Sequence, residues 1–196
     1  MQVDTLLSVA DYLRLDAESE TKHEYHAGQV YAMAGASLAH NTITANVSYG
    51  VRSRLRSGTW RVLQSHLRVH VENEEQDYTY PDVVMICGAP RLSGDRPDTL
   101  LNPVLLVEVA SPSTSATDRE WKLRAYMQIE SLQEYWIVEQ DAPIVTRHRR
   151  HEGLWVIEFV RGRDAALESG LLAASLPLAD IYDQLFPPPA PGETPR

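Results

Sequence analysis

Two stretches decide the fold: Pro81-Asp-Val-Val-Met-Ile-Cys87 and Val104-Leu-Leu-Val-Glu-Val-Ala110. Both are short, nearly continuous apolar runs, the pattern of strands buried on both faces. Each carries one carboxylate, Asp82 at the start of the first run and Glu108 late in the second. A carboxylate in an apolar strand is costly unless it is paired, hydrogen-bonded or bound to a cation. If the two strands lie side by side and antiparallel, the start of the first meets the end of the second. The two carboxylates then converge.

Upstream of this pair, Ser8 opens a helix to about Ser19, with Val9, Tyr12, Leu13 and Leu15 as apolar positions. Short strands follow near Lys22–His26 and Gln29–Met33, joined by an Ala27-Gly28 turn. Ser37 caps a second helix to about Leu55, in which Ile43, Val47, Val51 and Leu55 recur every fourth residue. Trp60–Gln64 reads as a strand. In His66–Val71, Leu67, Val69 and Val71 alternate with His66, Arg68 and His70, which predicts one apolar and one polar face. Downstream, Thr117-Asp-Arg-Glu120 fits a capping box for a third helix reaching Met127. Strands near Glu134–Glu139, Ile144–His148 and Leu154–Val160 complete the body. The order predicts a mixed α+β (α/β) fold, a mixed sheet flanked by helices with additional N-terminal strands, and not a regular βαβ repeat. One domain is expected over residues 1–186, with 187–196 as a Pro-rich flexible tail.

Two converged carboxylates repel unless a proton or cation sits between them, and oxygen donors of this kind suit Mg²⁺ or Mn²⁺. The plainer alternative places Asp82 in a turn and pairs Glu108 with an arginine. Lys122 bears on the choice. It is one of only two lysines against 16 arginines, and it lies one turn into the helix that follows the Glu108 strand. Packed back over that strand, its ammonium reaches both carboxylates. There it can orient an attacking water and stabilise charge on phosphorus.

The 196 residues are 43% hydrophobic and 23% charged, which excludes collagen, coiled coil and full disorder. A single cysteine, Cys87, excludes an intrachain disulfide and a Cys-based zinc site, so a cytoplasmic location is expected. The start Met1-Gln2-Val3-Asp4 lacks signal-peptide features, and no apolar run approaches the ~18 residues of a membrane span. The net charge of −9 argues against a protein that coats nucleic acid nonspecifically. Two basic clusters are candidates for phosphate contacts, Arg52, Arg54 and Arg56, and Arg147, Arg149 and Arg150. The plainer reading of these clusters, and of the acidic residues near the start and at Glu72–Asp77, is solvated surface. His23 and His26 have zinc-like spacing without further ligands nearby and read as surface.

Tyr80-Pro-Asp-Val-Val-Met-Ile86, Pro103-Val-Leu-Leu-Val-Glu-Val-Ala-Ser-Pro-Ser-Thr114, Thr117–Tyr126 and Glu134-Tyr-Trp-Ile-Val-Glu139, with Tyr25–His40 upstream, resemble the Uma family of restriction-endonuclease-like proteins. The resemblance covers roughly residues 8–186. That family belongs to the PD-(D/E)XK nuclease superfamily. The resemblance implies a restriction-endonuclease-like core, a metal-dependent endonuclease using Mg²⁺ (or Mn²⁺) on nucleic acid, with DNA as the expected substrate, and a homodimer. Asp82 matches the motif aspartate and Glu108 the following acid, and the two would hold the metal with the main-chain carbonyl of Val109. The usual lysine two places later is absent, because position 110 is Ala110; the family's basic residue lies on the next helix, here Lys122. Glu24 resembles an auxiliary N-terminal carboxylate, and a surface hairpin charge is its alternative. His40 matches a family histidine, and its spacing from Ile43 and Val47 also places it on an apolar stripe as a packed, hydrogen-bonded residue. The competing function is a non-catalytic nucleic-acid-binding or interaction module with a relict site.

Overall fold

The computed structural model describes residues 6–33, 35–56, 58–64, 67–94, 96–110 and 116–186, except for the side chains of 116–118. Helix α1 (Val9–Glu18) starts at Ser8, whose hydroxyl accepts the Asp11 amide at 3.1 Å. Strands β1 (His23–His26) and β2 (Gln29–Ala32) form a hairpin. Its two-residue turn has positive φ at both Ala27 (48°) and Gly28 (88°), as the right-handed strand twist demands. Helix α2 (Leu38–Ser53) is capped by Ser37, whose hydroxyl accepts the His40 amide at 3.0 Å. Then come β3 (Trp60–Gln64), β4 (Arg68–Val71), β5 (Asp77–Thr79), β6 (Val83–Cys87), β7 (Thr99–Leu100) and β8 (Leu105–Ala110). Helix α3 (Ala116–Gln128) leads to β9 (Glu134–Glu139), β10 (Ile144–His151) and β11 (Leu154–Arg161). The short β12 (Ala166–Leu167), β13 (Leu176–Pro177) and α4 (Leu178–Ile181) follow.

The main sheet runs β11-β10-β9-β8-β6-β3, and a second runs β2-β1-β5-β4-β7. Both are mixed: β8 pairs parallel with β9, and β4 with β7, among otherwise antiparallel neighbours. The two deciding runs do lie antiparallel, with Val83 opposite Val107 and Val84 opposite Leu106. One step further along this register sets Asp82 opposite Glu108.

The apolar runs are continuous because the main sheet is covered on both faces. On one face Val83, Met85, Val107, Trp136 and Val138 pack under Ile43, Val47 and Val51 of α2 and under α4. On the other, Val84, Ile86, Leu106 and Tyr135 pack under Trp121, Ala125 and Tyr126 of α3, with Val69, Val71 and Leu100 of the second sheet closing that core. Tyr12 of α1 seals the second sheet by stacking on Tyr25 and packing at a tilt against Tyr78, ring centres 5.0 and 5.4 Å away.

Several expectations change. The strand expected from His66 is described from Arg68, and His66 lies outside the described residues. All four of its residues are buried, so the expected polar face does not meet solvent. Arg68 is neutralised there by Asp16, 2.7 Å from Nη2, and bonds the Tyr80 hydroxyl at 2.9 Å. Asp16 also accepts the His23 amide at 2.7 Å, so this residue of the acidic start is a buried partner and not a surface charge. Asp77 is likewise buried, bonded to His26 at 2.6 Å and to Asn73 at 2.6 Å. The capping box expected at Thr117 and Glu120 has its Thr117 side chain outside those described, and the helix already begins at Ala116, one residue before the expected cap. Among the described residues no helix is long and apolar enough to cross a membrane.

Candidate active site

Asp82 stands at the foot of β6. Its Oδ2 accepts the Val109 amide at 2.7 Å, so a side chain satisfies that main-chain donor at the end of the ladder. Its other oxygen, Oδ1, lies 2.8 Å from His40 Nε2. The cap at Ser37 fixes the first turn of α2, and the Ser37 hydroxyl donates to Gln140 Oε1 at 2.7 Å, tying this helix end to the chain just after β9. His40 is therefore aimed at Asp82 rather than into the apolar core. The bond to Asp82 raises the His40 pKa. Burial opposes it, while the charges of Asp82 and Glu108 and the Val109 backbone add to it.

Glu108 points to the α3 face of the sheet. Lys122 and Tyr126 stand one turn apart on α3, on the side that also buries Trp121, Ala125 and Ile129. The Tyr126 hydroxyl donates to Glu108 Oε1 at 2.7 Å, and Lys122 Nζ lies 3.3 Å from the same oxygen. Lys122 Nζ is also 2.8 Å from Glu24 Oε1, which in turn accepts the Tyr80 amide at 3.1 Å. Glu24 thus belongs to the site and is not a surface hairpin charge.

Electrostatics follow from two acids, Glu24 and Glu108, held on one lysine, with the Asp82 charge acting on Glu108 from the next strand. Burial pushes the Glu108 carboxyl up to about 7; Lys122 pulls it back, while Asp82 and Glu24 push it further. Burial also works against the Lys122 ammonium, but Glu108 and Glu24 more than offset this and hold its pKa above the ordinary lysine value. Lys122 is a permanent cation at neutral pH, and Glu108 is poised between its two forms.

Around this centre, Arg119 makes a two-pronged pair with Glu139 at the end of β9, at 2.9 and 3.3 Å. Trp121 stacks on His26 with ring centres 4.7 Å apart. The six arginines named as phosphate contacts are not brought to the Asp82–Glu108 pair. Arg52 lies ~18 Å further along α2 than His40 at ~1.5 Å per residue. Arg54 bonds Ser175 O and Asp180 at 2.9 and 2.6 Å, and Arg56 bonds Leu172 O at 3.0 Å. Arg147 and Arg149 share Glu158. Arg150 holds the carbonyls of Leu132, Ile129 and Met127, in and just beyond the last turn of α3, at 2.7, 3.0 and 3.2 Å. A cleft of about 520 Å³ beside Glu134, Arg147 and Arg149 lies at the opposite end of β9 from Glu139, and within it Arg147 pairs with Glu134 at 3.9 Å.

The donor set fits a hard divalent cation in its chemistry. Asp82 and Glu108 offer oxygen atoms from opposed strand positions, and the charges of Asp82 and Glu24, which add to the rise that burial imposes on Glu108, are of the sign such a cation neutralises. Among the described residues no three acidic or histidine side chains stand in a ready-made cluster. A cation on Asp82 would share its carboxylate with the His40 bond at Oδ1 and the Val109 amide at Oδ2.

A family model, Uma2, described as "Putative restriction endonuclease", matches residues 9–179. The chain belongs to the Uma2 family. This Uma2 protein is 38% identical over 179 residues to "Uncharacterized protein slr1290" of Synechocystis sp., covering 90% of this chain and 91% of the relative. It is 29% identical over 164 residues to "Uncharacterized protein sll1609" of the same organism, covering 83% and 92%. The crystal structure of "a putative nuclease belonging to DUF820" from Anabaena variabilis superposes with a TM-score of 0.73 at 20% identity, covering 92% of this chain and 99% of that one. That likeness establishes the restriction-endonuclease-like fold. Two members of the Uma2 site escaped the sequence reading. Tyr126 was within reach of it, since it sits four residues after Lys122 on one helix face; the Tyr80 amide has no sequence signal.

Proposed function

We propose that this Uma2 protein is a metal-dependent endonuclease that hydrolyses phosphodiester bonds of DNA. The observation that carries the reading is the Lys122 ammonium lodged between Glu24 and Glu108, with Asp82 opposite Glu108 on the next strand. Asp82 and Glu108 are the residues that would hold Mg²⁺ or Mn²⁺, and the ion would supply charge neutralisation at the phosphate and a more acidic water.

The chain's own groups divide the remaining work. Glu24 and Glu108 keep Lys122 charged and fix its Nζ, so that it donates a hydrogen bond to the attacking water or to the phosphate oxygens as their charge grows. Tyr126 holds the Glu108 carboxylate in one orientation. His40, carrying a proton favoured by Asp82, places a second positive group on the opposite side of Asp82 from the Val109 amide. The position of Arg119 at the end of β9 suits a contact to a flanking phosphate. A homodimer belongs to the same reading, although each copy carries a whole Asp82–Glu108–Lys122 set and needs no partner residue for the chemistry.

The test is incubation with supercoiled, linear and single-stranded DNA and with RNA, in Mg²⁺, Mn²⁺ or EDTA, with Asp82→Ala as control. Metal-supported cleavage of DNA that the control lacks is the expected result. Binding without cleavage on every substrate would instead identify a relict site.

A further inference from the structure

Strand β11 ends the main sheet, and among the described residues its outer edge has no partner strand. It pairs with β10 over eight residues without a bulge, from Ile144 opposite Arg161 to His151 opposite Leu154. Leu154, Ile157 and Phe159 are 71%, 51% and 61% exposed. A lone edge strand is normally blunted by a proline, a bulge, short length or outward charge. β11 has no proline, and its one acid, Glu158, is drawn to Arg147 and Arg149 of β10. The opposite edge, β3, is shorter and exposes Arg61 and Gln64 instead.

The direction of the main-chain groups is fixed by the hairpin. The Glu152-Gly153 turn closes it at the His151–Leu154 pair, and the Gly162 amide donates to Pro143 O at 2.9 Å. Even-numbered residues of β11 therefore face β10, and Trp155, Ile157, Phe159 and Arg161 turn their N–H and C=O groups outward.

We infer that β11 is a two-fold interface, at which a second copy of this chain pairs antiparallel, edge to edge, with Ile157 on the axis. In that register Leu154 meets the partner's Val160, Trp155 meets the partner's Phe159, and Ile157 meets its own counterpart. Each of the three exposed apolar residues gains an apolar neighbour. Residues 155, 157 and 159 complete roughly six new main-chain hydrogen bonds with the partner. Shifting the axis to Glu158 opposes two like charges. Shifting it to Val156 sets Leu154 against Glu158 and Phe159 against the turn residue Gly153. About Ile157 the partner's Glu158 lies opposite Val156, but Leu154, Ile157 and Phe159 are all covered by apolar residues, which neither shifted register achieves, and this makes a second copy the occupant that fits. The result is one continuous sheet of twelve strands, two copies of the six-stranded sheet. This inference gives the proposed homodimer its surface. It does not depend on the nuclease reading, and an assembly measurement leaves that reading untouched.

The test uses the full chain in a Cys87→Ser background, because Cys87 is an exposed free thiol. Sedimentation at tens of micromolar should show a dimer, and Ile157→Lys should weaken it by about 100-fold or more with an unchanged circular dichroism spectrum. A register-specific arm stands even if that variant misfolds. Opposed residues of a hydrogen-bonded pair have Cα atoms ~5.5 Å apart, within disulfide range. Ile157→Cys should therefore cross-link to its twin under mild oxidation. Phe159→Cys, whose twin lies ~13 Å further along the strand at ~3.3 Å per residue, should not. A monomeric wild type overturns the inference, as does a dimer that neither Ile157→Lys disrupts nor Ile157→Cys locks.

Discussion

Glu108 sets a pH-dependent stability that a single substitution isolates. Its carboxyl rises from 4.5 to about 7 on folding, chiefly through burial; Asp82 and Glu24 add to the rise, while Lys122 and the Tyr126 bond oppose it. A folded-state pKa raised above the unfolded value means that the protonated form is the better tolerated one in the fold. The stability it contributes is fully present below about pH 4.5 and is lost as pH rises to about 7, after which the loss levels off. At ~1.4 kcal/mol per pKa unit the total is about 3 kcal/mol. Glu108→Gln stays neutral throughout, and its amide oxygen can still accept the Tyr126 hydroxyl. The assay is urea unfolding of both chains in EDTA at a series of pH values from about 4 to 8. The expected outcome is that wild type loses about 3 kcal/mol relative to Glu108→Gln across that range. Titration of His40 occurs in both chains and largely cancels in the difference. Parallel stability curves would refute the reasoning, and a wild type that gains on the variant with rising pH would reverse its sign. The variant should be inactive at every pH, so the acid that weakens the neutral fold is retained for function.

Lys122→Met keeps the helix and the aliphatic stem but removes the ammonium; cleavage should fall about 10²-fold in single-turnover assays while the far-ultraviolet spectrum is unchanged. Tyr126→Phe removes the bond that helps keep Glu108 ionised, so calorimetry at neutral pH should show weaker Mg²⁺ binding. Arg150→Met strands the carbonyls of Leu132, Ile129 and Met127 and should cost about 2 kcal/mol in a urea titration without altering cleavage. Ending the chain after Phe186 should leave the melting temperature unchanged, because Arg163 ties the carbonyls of Tyr182, Leu185 and Phe186 and residues 187–196 contain almost nothing apolar to bury.

The elements with strong local signals were legible in the sequence. Ser8 and Ser37 mark helix starts, the Ala27-Gly28 turn is where the chain needs positive φ, and the strand Glu134–Glu139 carries the continuous apolar run Tyr135–Val138. The convergence of Asp82 and Glu108 was legible because a carboxylate in an apolar strand demands a partner. What escaped depends on long-range pairing. Arg68 and Asp16 look like surface charges in isolation, and only the packing of α1 on the second sheet makes them a buried pair 2.7 Å apart. The short β5, β7, β12 and β13 have too few residues for any periodicity to show. The surroundings of the arginine clusters depend on packing in the same way. Arg147 and Arg149 sit on one strand face and Arg150 on the other, so a run contiguous in sequence is split between Glu158 and the end of α3.

The most direct measurement is the rate of supercoiled DNA cleavage in Mg²⁺ and Mn²⁺ by wild type and by Asp82→Ala at equal, folded concentration. Asp82 holds His40 and the Val109 amide and faces Glu108, so its loss should abolish metal-supported cleavage, and EDTA should abolish it in wild type. Equal cleavage by both chains, or cleavage indifferent to EDTA, would contradict the assignment of this site as a metal-dependent nuclease centre.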